Sequence, residues 1–239
     1  MKVLLVLSLF VAASSAWFLS KPTKPEWNSL YVTFLSFSKL PTDKDDALND
    51  GWRLTKTCDA NNFFAGNRYV LDGDTAVMLL FGVNGQLAGI QMGIDKSIVG
   101  DRKGPWVLEG NILLIWNGAD NSTIAIPFKE EDLAGTKWVA GKCFPMMGQH
   151  YWYDISNDMD CNDFYPVFIM YNGKRLNSFG WNTYGDLKSK RYEHPTKDKL
   201  GYFFDPKTAP KCLQTAGPLT TQHIYMDWPY NNLCKVGGR

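Results

Sequence analysis

Residues 166–181, PVFIMYNGKRLNSFGW, place two apolar runs on either side of Asn172 and Gly173. Asn-Gly supplies the positive φ angles that a tight two-residue turn needs, so this stretch predicts a β-hairpin. A second Asn-Gly pair, Asn84 and Gly85, separates residues 76–83 from residues 86–94 in the same way. Antiparallel β-structure is therefore the first expectation for this chain.

The remaining chain supports the same fold class. Its other apolar runs are short and punctuated by turn residues, and no helical pattern continues for more than a few turns. Residues 111–116 and 123–128 predict a further hairpin around a polar turn. We expect an all-β protein, mainly an antiparallel sandwich or barrel, with a disulfide-rich C-terminal half.

The first sixteen residues have the pattern of a secretory signal peptide. Lys2 precedes the apolar run of residues 3–13, and Ser14, Ser15 and Ala16 form a small-residue cleavage site. This predicts a secreted, extracellular chain in which residues 17–239 make one β domain, with an internal division near residue 140 as the alternative. No other run is long enough to predict a membrane span.

Charge argues against nucleic acid as a partner. The chain has 25 basic and 24 acidic residues, and removal of Lys2 makes the two numbers equal. Such a balance provides no field that would attract a polyanion. The partners left open are a small molecule or a component of the extracellular matrix.

Five cysteines remain after cleavage, and an oxidising compartment favours their pairing. Because four of them lie after residue 140, we expect two bridges within this set and an unpaired Cys58. The sequence does not choose the partners within the set, which consists of Cys143, Cys161, Cys212 and Cys234. Cys58 is interpreted as a buried, inert thiol, with a disulfide-linked dimer as the alternative. Asn121 begins the sequon Asn-Ser-Thr and is the predicted glycosylation site.

One six-residue pattern, Gln-His-x-aromatic-x-Asp, occurs twice, at residues 149–154 and 222–227. In a β-strand the His, the aromatic residue and the Asp of each copy lie on one face. The His and Asp of one copy are too far apart along a strand, about 13 Å, to share a metal ion. Parallel neighbouring strands would bring His150 and His223 together, whereas antiparallel neighbours would give two His–Asp pairs, His150 with Asp227 and His223 with Asp154.

Two functional hypotheses follow from the concentration of His, Cys and aromatic residues after residue 140. The first is a binding protein whose ligand contacts Trp152, Tyr225 and Trp228, because aromatic side chains suit a ring-bearing or carbohydrate-like ligand. The second is a metal-dependent enzyme, an oxidoreductase or a hydrolase, in which His150, His194 and His223 hold a divalent metal. Imidazoles more than about 10 Å apart would exclude such a site, since nitrogen–metal distances are near 2 Å.

Overall fold

The computed structural model describes residues 29–58, 66–99, 106–110, 112–115 and 124–234. The predicted signal peptide and Asn121 lie outside these residues. Within them the chain forms two short α-helices, several 3₁₀ turns and fourteen β-strands. The helices are α1 (Lys44–Asn49) and α2 (Lys96–Val99). The strands are β1 (Leu30–Val32), β2 (Ser38–Leu40), β3 (Arg53–Lys56), β4 (Asn67–Leu71), β5 (Asp74–Phe81), β6 (Leu87–Gln91), β7 (Gly93–Asp95), β8 (Trp106–Glu109), β9 (Ile112–Ile115), β10 (Trp138–Phe144), β11 (Gly148–Tyr153), β12 (Val167–Asn172), β13 (Arg175–Tyr184) and β14 (Leu219–Tyr225).

The described strands form three sheets in which every pairing is antiparallel. The largest has the order β10-β11-β12-β13-β14-β1-β2, and the others have the orders β3-β4-β5-β6 and β7-β9-β8. The expected all-β, antiparallel class is confirmed. The described strands do not close a barrel, since β10 and β2 are the two ends of the large sheet.

Two of the predicted hairpins are confirmed, but the third is wrong. β5 pairs with β6 across Asn84 and Gly85, and β12 pairs with β13, with Gly173 and Lys174 at the turn. In contrast, β9 pairs with β8 and β7, and residues 124–127 form no strand. Both partners of β9 precede it in the chain, whereas the prediction paired it with the run that follows it.

Both faces of the large sheet are covered, which explains why all seven residues of β14 are buried. On one face Trp181 and Ile224 share a core with Val77, Leu79 and Phe81 of β5, so the four-stranded sheet packs against the large one. This is the stacking of layers that the sandwich alternative predicted. A continuous buried strand is expected wherever a sheet is covered on two sides.

The opposite face is covered by irregular chain rather than by another sheet. The 3₁₀ turns Cys161–Asp163, Lys197–Tyr202 and Lys211–Gln214 lie over it. Their side chains form a second core with the face that carries Trp152, Phe168 and Tyr225. Antiparallel sheets tolerate such cover because it needs only apolar side chains, and does not need a second set of strands.

Two disulfides are present among the described residues, and one of them fastens this cover. Cys161 bonds Cys212 and so joins two of the 3₁₀ turns, while Cys143 of β10 bonds Cys234 near the end of the described chain. The prediction of two bridges among the four late cysteines is confirmed. Cys58 is unpaired as predicted, but it is exposed, so its interpretation as a buried thiol is wrong. A disulfide-linked dimer through Cys58 stays a prediction.

No helix in the described part of the chain has the length and apolar character needed to cross a membrane.

Gly180 of β13 provides the first testable prediction. A Cβ atom at this position would lie 2.2 Å from both the Gln222 carbonyl oxygen and the Phe168 ring. Because the carbonyl is backbone and cannot turn away, Gly180→Ala should lower the free energy of unfolding by about 1–3 kcal/mol. Gly217→Ala is the matched control, since nothing lies within 4 Å of its added Cβ. Equal denaturation midpoints for the two variants in urea would contradict this account.

Candidate functional site

Strand alternation places the candidate residues on the face beneath the irregular cover. In β14 the side chains of Thr221 and His223 share this face with Leu219 and Tyr225, whereas Ile224 belongs to the opposite core. Residues at every second position of a strand share a face, so this division is the one expected.

His150 and His223 meet on this face although their strands are not neighbours. β12 and β13 lie between β11 and β14, and strands lie about 4.8 Å apart in a sheet. The two imidazole ring centroids are nevertheless 6.2 Å apart. The Phe168 ring lies between the strands over Gly180 and contacts both imidazoles. The sheet therefore curls around this face and makes it concave.

The concave face and its cover form a partly open cavity of about 450 Å³. This volume lies within the usual range of small-molecule sites. Aromatic and aliphatic side chains make most of its wall, and a few polar groups interrupt them. The lining residues are Phe34, Phe144, Met147, His150, Trp152, Phe168, Glu193, His194, Pro195, Lys199, Leu200, Tyr202, Phe203, Phe204, Leu219, Thr221 and His223.

His150 is the most deeply buried polar residue of this wall, with a relative exposure of 1%. Its Nδ1 lies 3.0 Å from the Lys142 carbonyl oxygen. A carbonyl only accepts hydrogen bonds, so Nδ1 carries the proton and Nε2 has a free lone pair. This Nε2 is buried and has no hydrogen-bond partner. Burial, together with the nearby His223, lowers the pKa of His150 to about 3, so the ring stays neutral at physiological pH.

His223 has a carboxylate partner instead. Its Nδ1 lies 2.7 Å from Oε2 of Glu193, and the side chains of both residues are largely buried. Glu193 also accepts hydrogen bonds from the Thr221 hydroxyl (2.9 Å) and from the Phe34 backbone N–H (2.6 Å). Backbone hydrogen bonds of 2.9 Å in both directions join Glu193 to Thr221. The carboxylate thus fixes the orientation of the His223 ring.

The third histidine lies at the exposed edge of the cavity. His194 lines the wall, but its Nε2 is 2.9 Å from the Leu187 carbonyl oxygen and 3.6 Å from an Asp186 carboxylate oxygen. Across the described ranges, no three side chains of His, Cys, Asp or Glu converge in a way that would hold a metal ion. His150 and His223 are closer than the limit of about 10 Å set above for a shared metal ion. The predicted set of three histidine ligands is nevertheless not assembled.

The expected His–Asp pairs do not form, because two other strands lie between the strands that carry the two copies of the pattern. Asp154 pairs with Lys137 at 2.7 Å, close to the surface. Asp227 is buried, and one of its oxygens accepts a hydrogen bond from the Trp228 backbone. The carboxylate that meets a histidine comes from Glu193, which lies outside both copies.

Of the three predicted aromatic ligand contacts, only Trp152 lines this cavity. Tyr225 is fully buried in the core beside it, and burial raises the pKa of its hydroxyl well above the ordinary value. Trp228 is 43% exposed and packs against Tyr31 and Phe37. Both lie outside the lining.

Glu193, Phe168 and Phe203 are the site residues that sequence reasoning missed. Glu193 is adjacent to His194, so a carboxylate next to a candidate histidine was one available signal. Its contact with His223 depends on the bridge to Thr221, 28 residues away, and no sequence pattern indicates that bridge. Phe168 and Phe203 look like ordinary core residues in the sequence.

The site thus combines an apolar enclosure with two imidazoles, one without a partner on Nε2 and one oriented by a carboxylate. Such an enclosure can bind a small molecule, and an oriented imidazole can accept a proton. Comparisons of the chain with protein-family models, with curated proteins and with solved structures find no match.

His150 predicts a specific dependence of stability on pH. Its pKa is about 3 in the folded protein against 6.5 without burial. Between these values the unfolded chain binds a proton that the folded protein does not, so its contribution to stability is lost as pH falls from 6.5 towards 3. Between pH 7.5 and pH 4 the loss should be about 3 kcal/mol. Urea unfolding at pH 7.5 and pH 4 should show a smaller loss in His150→Phe than in the wild type. An equal loss in both proteins would contradict the assignment.

Proposed function

We propose that this protein is a secreted binding protein that encloses one small, apolar, ring-bearing molecule in the cavity at His150. The observation that carries the proposal is the buried Nε2 of His150, which has no hydrogen-bond partner and belongs to a residue of the cavity wall. Leaving a buried acceptor unpaired costs about 1–3 kcal/mol. A ligand with an O–H or N–H group removes that cost when it binds.

The character of the wall selects among the ligand classes expected from the sequence. A carbohydrate has a hydroxyl on most of its carbons and would need many polar partners, whereas most of this wall is apolar. A matrix macromolecule is too large for 450 Å³. Aromatic side chains such as Trp152, Phe168 and Phe203 provide flat apolar surfaces against which a ring packs well.

Secretion is supported by the two disulfides and by the predicted signal peptide. Disulfides form and persist in oxidising compartments. The Cys161–Cys212 bridge also fastens part of the cover over the apolar face. This bridge would therefore help to hold the cover in place outside the cell.

Titration calorimetry with a matched pair of probes tests the proposal. 2-Naphthol has a hydroxyl donor, whereas 2-methoxynaphthalene has the same rings and oxygen without that donor. We expect saturable binding of 2-naphthol at one site, about fivefold tighter than binding of the ether, since one net hydrogen bond contributes about 1 kcal/mol. His150→Phe keeps a flat ring but removes the acceptor, so the preference for naphthol should disappear.

His194→Gln is the control for this experiment, because His194 lines the edge of the cavity and its Nε2 is already engaged with Leu187. The preference should persist in that variant. Binding of neither probe, or a preference that survives in His150→Phe, would sink the proposal.

A second function, acid–base catalysis, is favoured by the 2.7 Å contact between Glu193 and His223. An imidazole oriented by a carboxylate at the wall of a cavity is suited to act as a general base. If the protein is an esterase, it should release 2-naphthol from 2-naphthyl acetate, and His223→Gln should slow this about 100-fold or more. Release no faster than with free imidazole would exclude this activity.

Elemental analysis of the purified protein tests the remaining alternative. Stoichiometric divalent metal that is lost in His150→Ala would favour the metal-dependent enzyme.

A further inference from the structure

The hydrogen-bond donors near the inner end of the cavity are already engaged with one carboxylate. Glu193 accepts from the Phe34 backbone N–H, from the Thr221 hydroxyl and from Nδ1 of His223. The Trp152 indole N–H points to the Phe203 carbonyl oxygen at 3.5 Å. These four donors are therefore already in use and are not available to a ligand.

Two imidazoles lie next to each other at this end. The Lys142 carbonyl keeps the proton of His150 on Nδ1, and the Glu193 carboxylate accepts a hydrogen bond from Nδ1 of His223. The unpartnered Nε2 of His150 belongs to a ring whose centroid is 6.2 Å from that of His223. A primary ammonium group has three N–H donors and can bond to both rings, whereas a hydroxyl has only one donor.

Glu193 is the acidic residue of the cavity wall. The Glu193 side chain is 16% exposed, and among the described residues it has no lysine or arginine partner. Lys199 lines the cavity but is exposed and pairs with Asp198 at 3.3 Å. A carboxylate in such surroundings attracts a cation more strongly than one in water, because the local dielectric constant is low.

Aromatic faces surround the same place. The His150 ring lies 6.0 Å from Trp152, 6.2 Å from Phe168 and 5.4 Å from Phe203, measured between centroids. Aromatic faces attract cations, and the attraction increases when the cation is shielded from water. Neutral alcohols do not gain this contribution.

We propose that the ligand of this cavity is a ring-bearing primary amine, bound as the ammonium ion with its N–H groups directed at His150 and His223 and its charge facing Glu193. This inference rests on the proposed binding function and narrows its ligand class. The neutral state of His150, whose pKa is about 3, keeps a competing positive charge away from the ammonium group.

Three probes with one skeleton test the inference by titration calorimetry at pH 7.5: 2-phenylethylamine, 2-phenylethanol and phenylacetate. We expect the amine to bind at least about tenfold more tightly than the alcohol, and phenylacetate not to bind, because the site provides acceptors and negative charge. In Glu193→Gln the advantage of the amine should fall below about threefold, since the charge is removed but the shape is retained.

Asp198→Asn is the matched control, since it removes the same charge from an exposed position on the segment that lines the cavity. It should leave the order of the three affinities unchanged, and near-ultraviolet circular dichroism should show both variants folded. Equal binding of the alcohol and the amine would overturn the amine while leaving the binding function intact. Tightest binding of phenylacetate would mean that His223 itself holds the proton, which also overturns it. Absence of binding by all three probes would overturn both proposals.

Discussion

The carboxylate of Glu193 is the group on which the candidate site depends. It accepts hydrogen bonds from Phe34, just after β1, and from Thr221 and His223 of β14. Three segments that are distant in the sequence therefore meet at one side chain. A largely buried carboxylate is stable only when its oxygens have such partners. Glu193 therefore fixes the positions of three segments relative to one another: the loop after β1, residues 191–195 and β14.

The hydrogen bond to Glu193 helps to hold the loop after β1 in an unfavourable backbone conformation. Thr33, Leu35 and Phe37 all have positive φ angles (71°, 70° and 41°), which L-residues with side chains rarely adopt. Each such residue costs on the order of 1 kcal/mol, so the loop needs compensating contacts. The hydrogen bond from the Phe34 N–H to Glu193 is one of them, and the packing of Phe37 against Tyr225 is another. Phe34 is thereby positioned in the wall of the cavity.

Much of the fold could be predicted because the signals are local. Asn84 with Gly85 and Gly173 after Asn172 mark two real hairpins, and the clustering of four cysteines after residue 140 predicts the two bridges. The site was only partly predictable. His150, His194, His223 and Trp152 do line one cavity, but the sequence cannot reveal the Phe168 ring that crosses Gly180 between the two inner histidines. Strand order decides which side chains meet, and no local pattern specifies strand order.

The sequence by itself determined the antiparallel class, and it placed each His on the same face as the aromatic residue two positions later. These features follow from turn chemistry and from the two-residue period of a strand. The number of cysteines after residue 140 determined that two bridges could form there. Only the tertiary structure decided that the two patterned strands are separated by two others, that Glu193 rather than Asp154 or Asp227 meets a histidine, and that the face is concave. The physical reason is that the curl of a sheet and the contacts of its cover arise from packing between residues far apart in the chain, which local sequence does not encode.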